Sequence, residues 1–177
     1  MRGCAAAGRN GKCDSMAIYG QAPGRSNEWY TPSYVFEALG CRFDLDVAAP
    51  EDRRFCHVPA GGFYSEGGLE KPWRGFVWMN PPFGGRNGLA PWLAKFENHK
   101  NGVALVPDRT SAPWWQAHVP KTDLILFSAK KVKFIAADGS FGDSPADGVT
   151  LLAYGAKGVE ALYRAEDAGF GVCFKKA

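Results

Sequence analysis

The stretch Phe76-Val77-Trp78-Met79-Asn80-Pro81-Pro82-Phe83 constrains this chain more than any other. Four apolar residues in a row read as a buried strand, and two prolines stop it. A residue before proline is driven out of the helical region into an extended conformation. Asn80 and Pro81 both precede a proline, and the rings fix φ at Pro81 and Pro82. A polar amide on a stiff backbone therefore ends a strand and is followed at once by an aromatic ring. In an open α/β sheet that edge is where ligands bind.

An amide, a rigid carbonyl and an aromatic in succession suit alkylation of an exocyclic amino group on a base. The lone pair of such a nitrogen is delocalised into the ring, so the nitrogen is a weak nucleophile. The Asn80 side-chain oxygen and the Pro81 carbonyl can each accept one N–H. Together they favour tetrahedral nitrogen and stabilise the positive charge that grows as it attacks a methyl group. Preorganised groups aimed at developing charge are typically worth about 3–4 kcal/mol each. Pro82 stiffens the turn, and Phe83 is placed to stack on a base that has left its duplex. No strong general base is needed, because the proton can leave to water afterwards. The plainer reading is that Asn80-Pro81-Pro82 only ends a strand and turns the chain.

Two further blocks stand upstream: Trp29-Tyr30-Thr31-Pro32 and Phe43-Asp44-Leu45-Asp46-Val47-Ala48-Ala49. With Asn80-Pro81-Pro82-Phe83 they form a pattern that resembles the phage DNA N-6-adenine-methyltransferase family, over about residues 27 to 154. The tetrapeptide alone looks like the catalytic motif of amino-methyltransferases; the three blocks in this order are more specific. The resemblance implies a Rossmann-like class I methyltransferase, S-adenosylmethionine as methyl donor, and DNA presenting a flipped adenine as substrate. It also implies a phage or prophage protein acting in the bacterial cytoplasm, masking DNA from restriction. Tyr30, Thr31 and Pro32 match the block that contacts the methionine end of the donor. Asp44, Asp46 and Ala48 fall at the family's cofactor block. The chain departs there from the general methyltransferase pattern, which carries glycines.

Read from their own chemistry, these upstream blocks keep alternatives open. Thr31 is a good helix N-cap, Pro32 suits the first helical position and Gly40 the C-terminal cap, with Val35, Phe36 and Leu39 on one face. A helix N-terminus also favours a carboxylate. Phe43 to Val47 reads as a strand with Phe43, Leu45 and Val47 on one face and Asp44 and Asp46 on the other. Two carboxylates beside Ala48-Ala49-Pro50 make an acidic pocket suited to a sulfonium, an ammonium or ribose hydroxyls. The same spacing occurs at glycosyltransferase metal sites, although nothing nearby supports a sugar-nucleotide reading, and Asp46 could instead cap the next turn. The resemblance further implies an acidic residue for the donor ribose between 51 and 75, with Glu66 a candidate.

Composition narrows the class. With 177 residues, 46% of them hydrophobic and 22% charged, the chain suits one globular unit. A net charge of +3 does not announce a nucleic-acid binder, so any grip on DNA must be local. Arg86 in the glycine-rich stretch 84–88, and Lys131 and Lys133 on one face of a later segment, are the candidates; a solvated basic edge is the alternative for the lysines. Five cysteines without a CxxC pair argue for free thiols. Cys56-His57 lack a second pair for a metal, and no metal site is expected. No apolar run is long enough to span a membrane.

The expected fold is a single α/β domain: a mostly parallel sheet, helices on both faces and an antiparallel edge hairpin. Residues 1–26 read as a disordered arm and 27–177 as the catalytic domain, without a separate target-recognition domain. Further helices are expected over 91–98 and from Pro113, strands over 103–106, 123–127 and 149–154, and no chemistry in the last 23 residues. Rival functions are methylation of an RNA base or a glutamine amide, and non-catalytic nucleic-acid binding on a methyltransferase scaffold.

Overall fold

A computed structural model describes residues 29–84, 88–136, 138–142 and 147–175. The arm expected over 1–26, Arg86 and residues 143–146 lie outside the described residues.

Strand β1 (Trp29–Tyr30) leads into helix α1 (Ser33–Leu39), followed by β2 (Phe43–Asp46), β3 (Ala60–Phe63) and β4 (Val77–Met79). Helix α2 (Ala90–His99), β5 (Gly102–Pro107), α3 (Pro113–His118) and β6 (Leu124–Ser128) come next. The chain closes with β7 (Ile135–Ala136), β8 (Val149–Tyr154), α4 (Gly155–Asp167) and β9 (Gly171–Phe174). Among the described residues seven strands form one sheet in the order β3-β2-β4-β5-β8-β6-β9, and β1 pairs separately with β7. The pairings β3-β2, β2-β4 and β4-β5 are parallel, whereas β5-β8, β8-β6 and β6-β9 are antiparallel. The α/β class is therefore as read, but the antiparallel part is half of the sheet rather than an edge hairpin. Strand β8, every residue of which is buried, is inserted between β5 and β6 instead of lying at an edge. Its continuous apolar run fits that interior position better than a hairpin at the rim.

The alternation of side chains divides the core into two layers. Trp78, Val103, Leu105, Leu151 and Ala153 face Val35, Phe36 and Leu39 of α1 and Ala161, Leu162 and Ala165 of α4. Val77, Met79, Ala104, Val106 and Leu152 face Leu93 and Phe96 of α2 and Trp114 and Trp115 of α3. Helices thus cover both faces. Each fully buried apolar side chain contributes roughly 1.5–3 kcal/mol, so a slip of one residue, which exchanges the faces, is strongly opposed.

Two local expectations are corrected. Thr31 does not cap α1: Pro32, with φ −69° and ψ 155°, occupies the N-cap without a side-chain bond, and Ser33 begins the helix. Gly40 does end it, at φ 57°. In β2, Phe43 packs in the α1 layer while Leu45 and Val47 join the other. The alternation breaks at Asp44 because the N–H groups of Asp44 and Leu45 both reach the Phe76 carbonyl, at 2.7 and 3.4 Å. The break turns Asp46 toward the α1 side, the side of its strand partner Trp78.

Helix α4 approaches β5 so closely that a Cβ on Gly158 would stand 2.6 Å from the Gly102 carbonyl oxygen. In an open helix Gly→Ala gains about 1 kcal/mol. Here the clash is with backbone and outweighs that gain, so Gly158→Ala is expected to lower unfolding free energy by roughly 1–3 kcal/mol, read as a lower urea midpoint.

Candidate active site

Strands β2 and β4 run side by side with Leu45 opposite Val77 and Asp46 opposite Trp78. Asp46 ends one strand, and Asn80 follows the last residue of the other. From β2 the chain steps outward to β3, then returns to the opposite side of β2 to form β4. The carboxylate and the amide therefore flank the point where strand order reverses, at the carboxyl ends of parallel strands, where crevices form in such sheets.

One cavity lies there. Its wall is built from Trp29, Tyr30 and Thr31, from Asp46, Ala48 and Pro50, from Cys56, His57 and Val58, and from Trp78 and Asn80. Residues of all three sequence blocks meet in this wall. The enclosed volume is about 30 Å³, the space of one water molecule. A larger open groove of about 410 Å³ runs along α1 beside Cys41, Arg42 and Pro59, but neither Asp46 nor Asn80 reaches it. Size alone is a poor guide here, since chemistry gathers in the smaller space.

The Asn80 side chain is oriented by Thr31. Its Nδ2 donates to Thr31 Oγ1 at 3.0 Å, and Thr31 is only 4% exposed. With the amino end of the amide engaged, Oδ1 remains an acceptor without a partner among the described residues, as does the Pro81 carbonyl. Pro81 is buried and Pro82 exposed, while Phe83 is half-buried and packs against both core layers at the end of β4.

Asp46 is 2% exposed, and its Oδ1 accepts the Ala48 N–H at 3.2 Å. Burial pushes its carboxyl up to about 6, against the pull of the Ala48 bond and of Arg53. No cation forms an ion pair with it among the described residues; the Arg53 guanidinium instead lies over the Phe63 ring, 3.7 Å from its centroid. Arg53 Nη1 is itself buried without a hydrogen-bond partner. A buried carboxylate lacking a countercharge suits a ligand that carries one positive charge. In charge the residues fit a sulfonium donor with an ammonium group; in volume they fit it only with the wall displaced.

The other residues singled out in the sequence are placed as follows. Tyr30 and Ala48 line the cavity, and Pro32 is buried just behind it as the N-cap of α1. Asp44 is not in the wall: its Oδ2 accepts the Phe76 N–H at 2.7 Å, and Gly75, at φ 68°, wraps around that carboxylate. Glu66 is exposed and also outside the wall. Lys131 and Lys133 are exposed on the segment leading into β7, the strand that pairs with Trp29 and Tyr30. Arg86 is among the undescribed residues.

Sequence reasoning missed the wall formed by Cys56, His57 and Val58. Cys56-His57 invites a reading as a metal pair, whereas here the two residues close a cavity beside Tyr30. Burial raises the Cys56 thiol above its ordinary value. The edge of Phe55 against Tyr30, 6.1 Å between ring centroids, ties this wall to β1.

A family model described as DNA N-6-adenine-methyltransferase (Dam) matches residues 22–152 of the chain. No curated protein and no solved structure matches it.

Two outcomes follow from the two aspartates. The folded chain holds a proton on Asp46 up to about pH 6, whereas an unfolded aspartate releases it near 3.8. Stability therefore falls as pH rises between these values, by up to roughly 3 kcal/mol, and levels off above. Asp46→Asn is expected to abolish that fall, seen by comparing urea unfolding of the two proteins from pH 4 to 8. Asp44→Ala removes the acceptor of the Phe76 N–H and should lower stability by roughly 1–3 kcal/mol. Calorimetry should show its donor affinity unchanged.

Proposed function

Because the chain belongs to the DNA N-6-adenine-methyltransferase family, we propose that it transfers a methyl group from S-adenosylmethionine to adenine N6 in DNA. The observation that carries this reading is the orientation of Asn80: Thr31 engages its Nδ2, which leaves Oδ1 an acceptor without a partner among the described residues, and Asn80 lines the same cavity as Asp46. The bound donor supplies a methyl carbon made electrophilic by its sulfonium. The chain supplies the rest. Asn80 Oδ1 and the Pro81 carbonyl would accept the two amino hydrogens of the adenine, and their partial negative charge would stabilise the cationic nitrogen as the new C–N bond forms and the methyl–sulfur bond breaks, its electron pair leaving with the sulfur as a neutral thioether. The proton lost from that nitrogen passes to water. Phe83 keeps part of its ring exposed at the strand end, where a base taken out of the duplex can stack.

Asp46 provides the charge that selects a cationic donor, with Tyr30, Thr31, Pro32 and Ala48 shaping the site around it. The cavity as it stands is too small for a nucleoside, so its wall must open to admit one, and we assign that movement to the Cys56–Val58 segment facing β1. Lys131, Lys133 and Arg86 are assigned to phosphates, which fix the duplex without reading its sequence. The sheet is read as a Rossmann-like class I scaffold, on the strength of its parallel half and the placement of the site at the strand-order reversal. The setting that fits is a phage or prophage product in the bacterial cytoplasm that hides DNA from restriction.

Incubation of DNA with the protein and S-adenosylmethionine, digestion to nucleosides and mass spectrometry should reveal N6-methyladenine. Donor binding without that product would overturn the DNA assignment, and failure to bind the donor would favour a non-catalytic binder. Asn80→Ala is expected to lose on the order of 10²–10³ in kcat with donor affinity nearly intact. A large loss of donor affinity in its place would reassign Asn80.

A further inference from the structure

We infer that Thr31 is a positioning residue for the methyl acceptor: its hydroxyl holds the Asn80 carboxamide so that the oxygen, and not the amino group, faces the substrate. The inference rests on the proposed methyl transfer, but the contact behind it is read directly from this chain's structure. An asparagine amide has an acceptor end and a donor end of almost the same size. Turned the wrong way, Asn80 would present N–H groups to the N–H groups of an adenine amine, and the attraction on which attack depends becomes repulsion. Something must therefore bias the rotation.

The backbone does not supply that bias. The prolines restrain the main chain around Asn80 but leave the terminal torsion of its side chain broad and nearly two-fold. The polar contact on that amide among the described residues is Thr31 Oγ1, 3.0 Å from Nδ2. The hydroxyl has no competing task as a helix cap, because α1 is capped by Pro32 without a side-chain bond. It is also held still. Thr31 is 4% exposed, between Tyr30, which pairs through β1 with Ile135 of β7, and the rigid φ of Pro32. The bond joins residues 49 positions apart, so it exists only when β1 is docked against the end of β4. Thr31 thus links the wall of the donor cavity to the group that receives the acceptor amine.

A hydroxyl can donate as well as accept, so the test reads the direction of the bond and its consequence separately. In the folded protein labelled with ¹⁵N, with the signal assigned through Asn80→Ala, the Asn80 side-chain amide should show one proton protected from exchange with water. Thr31→Val keeps the shape and removes the hydroxyl; it should erase that protection and lower kcat about tenfold. With turnover read at saturating donor, so that any change in donor affinity at this wall residue stays out of kcat, the KM for DNA should stay within about twofold. Thr31→Ser should restore both the protection and kcat. Unprotected amide protons in the wild type would overturn the inference whatever the variants do, as would a Thr31→Val enzyme of unchanged kcat or a Ser variant no better than Val. If Thr31→Val does not fold, the wild-type exchange and the Ser variant still decide. A wild type that shows the protected amide but makes no N6-methyladenine would sink the proposed function and leave the contact standing.

Discussion

The parallel pairing of β2 with β4 is the constraint on which the site depends. Leu45 against Val77 and Asp46 against Trp78 set the register, and that register brings a carboxylate and an amide to one edge of the sheet. Shifting it by one residue would send Asp46 to the opposite face and expose Trp78, now 1% exposed, so the core itself enforces the geometry. The shared Phe76 carbonyl and the Asp44 carboxylate on the Phe76 N–H lock the start of the same pair. Packing energy, distributed over two apolar layers, thus fixes two polar groups that contribute little to stability themselves.

Asp46 works against stability. A carboxylate buried with one backbone hydrogen bond and no ion pair is costly when ionised, which is why burial raises it to about 6. The fold tolerates this cost at the place where a cationic ligand would relieve it. Arg53 is near enough to be felt, yet its guanidinium is spent on the Phe63 ring, which leaves the carboxylate without a permanent countercharge. A permanent Arg53–Asp46 pair would neutralise the charge that the cavity now presents.

Much of this was legible along the chain because it is local. Double proline after an apolar run makes a strand end with a stiff amide in any fold, and Gly40 closes α1 with the positive φ that glycine accepts. Period-two and period-3.6 patterns located most of the elements, since burial selects for them directly. What was misread required knowledge of neighbours. Thr31 looks like a cap because its chemistry and its position before Pro32 suit one; only the docking of β1 beside β4 offers its hydroxyl the Asn80 amide instead. Asp44 and Asp46 are indistinguishable by alternation, and the break in β2 separates them, one onto the Phe76 N–H and the other into the cavity. The insertion of β8 between β5 and β6 is likewise a matter of long-range pairing, on which a single strand's composition is silent beyond its burial.

By itself, then, the sequence determined the chemical vocabulary: a rigid amide and carbonyl before an aromatic ring, an acidic block, a helix entry, and a family to which those three belong. Backbone sterics and hydrophobic period act within a few residues, so they can be read from the chain. The tertiary structure decided which acid enters the cavity, which end of Asn80 is committed, and that the segment around Cys56 closes the wall. These are contacts between residues far apart in the chain, and they come into being only when the sheet register and the docking of β1 are paid for by the core as a whole.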